Sequence, residues 1–141
     1  MNDRPRRIRF GKFEIDLQHE SGCTSNVLLE WTPGDVYVGS ASGDNSERGH
    51  LRSGAEAAAH ALELASGGAV ELDVLAVKSI EGFETVLVIV ALRSAAAKIN
   101  ERLSGSCLIK DGVPRTAALA VLDATNRLYD LAIGRTQTVL H

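Results

Sequence analysis

Cysteine is scarce in this sequence: Cys23 and Cys107 stand far apart, with no CxxC pair anywhere. That excludes a disulfide framework, and two isolated thiols fit a reducing compartment, so a cytoplasmic location is expected. Long apolar runs are absent as well. No stretch reaches the roughly 18 residues that a membrane-crossing helix needs. The basic opening MNDRPRRIRF lacks the apolar segment of a secretory signal. Aromatic residues make up 4% of the chain. The basic cluster Arg4, Arg6, Arg7, Arg9 and Lys12 therefore has only Phe10 and Phe13 for stacking, too few for a nucleic-acid surface. A net charge of −3 adds no general attraction to nucleic acid or acidic lipid. The arm is better read as a solvated end or a charge-protected edge strand. His19, His50, His60 and His141 are scattered, without an i,i+4 pair or a carboxylate at ligand spacing, so neither a metal nor a cofactor is expected. Cys23 precedes a Thr-Ser-Asn loop with no legible base beside it, and it is expected to be a plain loop thiol. No catalytic activity is expected.

What is present is an ordinary globular composition, 45% apolar and 23% charged over 141 residues. That is enough for one domain with a real core. Ile8, Phe10, Phe13, Ile15 and Leu17 alternate with polar residues, and Gly11 interrupts them where a bulge is expected. Glu20 to Asn26 has a loop composition. Val27 to Trp31 is a second strand, and Thr32-Pro33-Gly34-Asp35 suits a type II turn into a third, Val36 to Ala41. Trp31 beside that turn is expected to pack at the sheet edge. A polar loop then runs from Ser42 to His50.

Ser53-Gly54-Ala55-Glu56 has the form of a capping box. A helix is therefore expected from Ser53, its stripe continuing from Leu51 through Ala55, Ala58, Leu62 and Ala65 until Gly67-Gly68 ends it. Val70, Leu72, Val74 and Ala76 then form a strand by alternation, with Leu75 and Val77 implying cover on both faces. Glu81-Gly82 turns the chain. Glu84 to Leu92 contains VLVIVAL, whose continuity predicts a strand buried on both faces. Ser94 to Asn100 reads as a loose connection with a short helical turn, and Arg102 to Ile109 as a third strand carrying Cys107 as a small buried hydrophobe. The last helix spans Gly112 to Leu131. Pro114 sits in its first turn, Ala117, Val121, Ala124, Leu128 and Leu131 form its stripe, Asp123 and Arg127 pair at i,i+4, and Gly134 follows. Thr136 to Leu140 is left as a tail.

The chain thus reads strand-strand-strand-helix, twice, an α+β fold of duplicated βββα units with antiparallel sheets covered by two helices. The predicted repeats are about 6–66 and 69–131 within a single domain. An offset of 66 carries Gly39-Ser40 onto Gly105-Ser106 and the first helical stripe onto the second, with a smaller offset for the earlier strands.

The paired βββα units, the Gly-Ser corner of each third strand and the closing Ala124-Thr125-Asn126-Arg127-Leu128 resemble the C-terminal regulatory domain of α-isopropylmalate synthases and citramalate synthases. That domain senses leucine and forms dimers. The family's first helix opens with Asn-Gly-Pro-apolar-Asp-Ala. Here Arg48 to Ala55 stand in that place, which leaves the ligand's identity open. The resemblance implies a regulatory module, freestanding and without a catalytic barrel, that forms a homodimer, takes a small amino-acid-like ligand and acts on a partner enzyme. The alternative is a structural or interaction module that has kept the fold without the ligand site. The candidate ligand residues are Gly39, Ser40, Gly105, Ser106 and Asp111. A glycine corner can present amide donors to a carboxylate, a following helix N-terminus adds partial positive charge, and Asp111 can pair with an ammonium group. The competing role for both glycines is to let a helix cross the strand closely.

Overall fold

Three strands and a helix, followed by three more strands and a second helix, make up the described chain. A computed structural model describes residues 8–17, 22–31, 34–68, 70–82, 85–96, 99–108 and 114–125. The strands β1 (Ile8–Leu17), β2 (Cys23–Trp31) and β3 (Asp35–Gly43) form one antiparallel sheet in that order. The helix α1 (Glu47–Ala65) follows. The strands β4 (Val70–Gly82), β5 (Thr85–Ala96) and β6 (Ile99–Leu108) form a second sheet, again in chain order, and α2 spans 114–125. The α+β class and the doubled βββα order agree with the sequence pattern.

Local chemistry accounts for most of the boundaries. The register of β1 against β2 shifts between Phe10 and Lys12, at Gly11 as expected. A Cβ there would press on the Leu28 side chain at 2.7 Å. Gly34, with φ +89°, takes the left-handed position that a type II turn asks of its third residue; Pro33 lies outside the described residues. At the end of α1, Gly67 turns left-handed, its amide bonds to the Leu64 carbonyl, and that of Gly68 bonds to Glu63. Those paired contacts close the helix as a Schellman motif.

Three boundaries differ from expectation. Helix α1 begins about two turns early, capped by Ser46, whose Oγ accepts the Gly49 amide at 3.0 Å. Ser53 is not a cap. It is buried within the helix and donates to the His50 carbonyl at 3.1 Å. In β4 the register shifts between Val74 and Ala76, so Leu75 is an extra residue and Ala76 turns to the outer face, where it is exposed. Finally, Ser94 to Asn100 is no helical connection: β5 runs to Ala96, β6 starts at Ile99, and those two residues pair. Strand pairing overrides the local helical preference of alanine. Leu128, Leu131, Arg127, Gly134 and the 136–140 tail lie outside the described residues.

The strand ladders superimpose unit on unit. Phe13–Val27–Gly39 in the first sheet corresponds to Val77–Val90–Gly105 in the second, and each first strand carries its bulge at the same level. The helices correspond at an offset of 63, not 66. Ala57 and Ala61 lie over Gly39 as Ala120 and Ala124 lie over Gly105, and residues 53–62 and 116–125 share one pattern of buried, half-buried and exposed positions. An alanine stripe matches itself after nearly one turn, which is why the sequence offset slipped by three. Each helix is buried around most of its circumference. Val27, Leu29, Ala58, Leu62, Val88, Val90, Ala117 and Val121 belong to one core cluster drawn from both units. Gly54 lets the units meet, because a Cβ on it would overlap the Pro114 carbonyl.

Candidate functional site

Gly39 and Gly105 sit inside their strands, paired with Val27 and Val90. The backbone of a helix lies where their side chains would be. For Gly39 the obstructing atoms are the Ala57 carbonyl oxygen and the Ala61 nitrogen; for Gly105 they are the Ala120 carbonyl oxygen and the Ala124 nitrogen. Of the two roles open to these glycines, the geometry supports close helix crossing.

Ser40 and Ser106 face outward and are exposed. Each lies on the last strand of its sheet among the described residues, and one helical side chain reaches each backbone. His60 Nδ1 lies 2.7 Å from the Ser40 carbonyl oxygen. That oxygen can only accept, so the proton sits on Nδ1. The residue at the equivalent place in α2 is Asp123, whose Oδ2 accepts the Ser106 amide at 3.1 Å. The amide expected to greet an acidic ligand is therefore already bonded to a carboxylate. Asp111 lies outside the described residues. The structure places Gly39-Ser40 and Gly105-Ser106 on different sheets, under different helices, at equivalent levels.

The same device appears on β4, the first strand of its sheet. Glu63 Oε2 accepts the Leu72 amide at 2.8 Å, and the Arg52 guanidinium donates to the Val74 carbonyl at 2.8 Å. Residues two apart in a strand direct their polar backbone groups to the same side, so these side chains bond the edge of β4 that has no strand neighbour among the described residues. Capping in this way blunts strand-to-strand association at that edge.

A buried polar cluster occupies the first unit. Cys23 opens β2 instead of lying in a loop, and it is buried with Ser25 and Ser53. Ser53 spends its proton on His50, so Ser25 must donate across the 2.8 Å between the two hydroxyls. Cys23 Sγ lies 3.5 Å from Ser53 Oγ and 3.6 Å from the Asp44 carbonyl. These bonds tie β2 to α1 and to the loop before it. None of the partners is a base. Cys107 is half-buried on the inner face of β6. Among the described residues, no group of three His, Cys, Asp or Glu side chains is placed to hold a metal ion. Lys12 pairs with Glu14 at 3.0 Å, and Arg115 stacks over Phe10 at 4.9 Å, so part of the N-terminal basic cluster and one of its aromatics are engaged within the fold. Arg4, Arg6 and Arg7, and the Trp31 side chain, lie outside the described residues. No helix is long and apolar enough to cross a membrane, among the residues described.

What sequence reasoning missed is the outer face of the second sheet. Among the described residues, the VLVIVAL strand is fully covered on one side: Val88 and Val90 are fully buried, while Leu87 and Ile89 face outward and are half-buried. Leu87 lies between Ile80 and Leu108, which are 48% and 50% exposed. Ile89 lies between Lys78 and Ser106, and Ala91 between Ala76 and Ser104. The corresponding rows of the first sheet are Asp16–Thr24–Ser42 and Glu14–Asn26–Ser40. At this end of the sheets, duplication has thus left the first outer surface polar and the second largely apolar, while Leu28, Val36 and Val38 lie at the other end of the first sheet.

No family model matches this chain, and no curated protein matches it significantly. The described glycine corners are filled and bonded, whereas among the described residues the Ile80–Leu87–Leu108 end of the outer face of β4–β5–β6 is apolar and partly exposed.

Proposed function

We propose that this chain is a non-catalytic assembly module of the regulatory type, working through a protein-facing surface. One observation carries the reading: the row Ile80–Leu87–Leu108 is apolar where the duplicated row Asp16–Thr24–Ser42 is polar. A sheet exposed on one face ordinarily alternates apolar inward and polar outward. The first sheet follows that rule at this end and the second departs from it. Departure in one copy of a duplicated unit is what an interface on that copy would require.

The filled corners support the same reading. Binding a small acid beside Gly105 would have to displace Asp123 from the Ser106 amide and place one negative charge beside another. Thermal melting against a panel of amino and keto acids is the test. The assembly reading expects no stabilisation by any of them. A ligand at a hundred times its dissociation constant would add about 2.7 kcal/mol. A response of that size would return function to the corners and remove the reading.

A further inference from the structure

We infer that the outer face of β4–β5–β6 seats an amphipathic helix of a partner protein, laid along β5 with apolar residues over Leu87 and Ile89 and an acidic end over Arg93 and Arg102. This rests on the assembly reading and names the kind of partner that reading needs. The charges on the face select the occupant. Asp73, Arg93 and Arg102 form one cross-strand row at the end away from Leu87. The Ser106 amide is bonded to Asp123 and so points away from β5, and the β6 register runs without a shift. The Arg102 backbone therefore points the same way, and Arg93–Arg102 is the close, non-hydrogen-bonded kind of pair. Like charges directly opposite one another in a sheet are destabilising. Asp73 reaches Arg93 at 3.4 Å, but among the described residues no carboxylate forms an ion pair with Arg102. An anion laid over the two arginines relieves their repulsion. The duplicated row, Arg9–Glu30–Val36, holds one charge of each sign and has no such need. Across this face Lys78, Arg93 and Arg102 outweigh Glu71 and Asp73, on a chain whose net charge is −3.

Shape and spacing fit a helix. Its diameter of about 10–12 Å spans three strands set ~4.8 Å apart. The middle row, Ala76–Ala91–Ser104, has small side chains that let a helix axis come close. An extended segment on the same face would leave its backbone groups unpaired, whereas a helix satisfies its own. From Leu87 to Arg93 the strand rises about 20 Å. On one helical stripe, positions i and i+4 then match Leu87 and Ile89, i+7 lies near the small row, and i+11 and i+15 straddle the arginine row. Burial summed over both partners stays below about 1,200 Å², so the isolated helix is expected to bind weakly, with a dissociation constant on the order of 100 µM.

Two blocked, alanine-based peptides of about 18 residues test this, each with leucine at i, i+4 and i+7 and carrying either glutamate or lysine at i+11 and i+15. They are titrated into the isotopically labelled full chain and followed by amide NMR shifts. The glutamate peptide should shift Leu87, Ile89 and Arg102 and bind about tenfold more tightly than the lysine peptide, since exposed ion pairs contribute little singly. Arg93→Glu combined with Arg102→Glu should reverse that preference, and both positions are exposed, so the fold tolerates the change. Ile89→Glu should abolish both titrations, and Val38→Glu, on the first sheet, should leave them unchanged. The comparison of the two peptides on the unaltered chain survives a folding failure of Ile89→Glu. Equal affinity for the two peptides would overturn the charge pairing and leave the assembly reading standing. Shifts at the same amides that grow with protein concentration alone would make the occupant a second copy and overturn the partner helix. No shift on this face from either peptide would remove the helix and the assembly reading together.

Discussion

Replacing Gly105 by alanine adds one methyl group where the backbone of α2 already lies. The nearest atoms are the Ala120 carbonyl oxygen, the Ala124 nitrogen and, at 2.8 Å, the Ala124 Cβ. Ordinary contact begins near 3.4 Å, so α2 must withdraw by about an ångström in an interior with little slack. Two effects compete. Alanine restricts the unfolded chain and gains ~0.4–1 kcal/mol where its conformation is tolerated. Overpacking a well-filled core costs ~1–3 kcal/mol and occasionally more. The obstruction is mostly backbone, which no rotamer change relieves, so the upper part of that range applies. A net loss of about 2 kcal/mol is expected, close to 8 °C in melting temperature for a chain of this size. Urea denaturation followed by circular dichroism measures it, with Ser106→Ala, an exposed neighbour, as the control within about ±0.5 kcal/mol. Gly39→Ala should behave like Gly105→Ala, since Ala57 and Ala61 obstruct it in the same way. Combining Gly105→Ala with Ala124→Gly should not restore stability, because only one of the three obstructing atoms is removed. A Gly105→Ala protein within about 0.5 kcal/mol of the parent would show that the helix does not lie over this glycine, and the packing role would fall.

Other substitutions probe other parts of the account. Val88→Asp would bury an unpaired charge at a fully covered position of β5 and should cost more than ~4 kcal/mol, failing to fold or melting far below the parent. Ser46→Ala removes the observed N-cap and should cost about 1 kcal/mol by denaturant titration; no loss would put the helix start elsewhere. Ser53→Ala leaves the buried Ser25 hydroxyl without its acceptor and should cost ~1–3 kcal/mol, whereas a helix truly starting at Ser53 would show only fraying of its first turn by hydrogen exchange. Glu63→Ala frees the Leu72 amide on the edge of β4, and faster exchange at that amide should follow, with Glu63→Gln keeping most of the protection.

How much of this was legible in the sequence depends on where each cause lies. Features with a local cause were readable: the bulge at Gly11, the left-handed Gly34 and the Gly67-Gly68 stop each place a glycine where only glycine is easy. The bulge at Leu75 carries no such mark, so alternation ran on past it and misplaced Ala76. Ser53-Gly54-Ala55-Glu56 imitates a cap. Its serine is instead claimed by Ser25 and approached by Cys23, both on a strand some 28 residues earlier. Alanines after Ser94 favour helix alone, but their pairing with the start of β6 comes from across the sheet. The glycine corners were identified as positions that need glycine. What presses on them is a helix brought there by the tertiary fold, so chain and ligand could not be told apart beforehand. The outer face of β5 was hidden for a related reason: a continuous apolar strand looks the same whether its second face is covered by its own chain or by another.

The central claim is that the apolar outer sheet is an assembly surface, and melting temperature against the glutamate peptide tests it most directly. A partner that binds only the folded state stabilises it by mass action, so peptide at about ten times its dissociation constant should raise the melting point by a few degrees. The account predicts that rise in the unaltered chain and its loss in Ile89→Glu. A melting point unchanged by either peptide up to about 1 mM would contradict it.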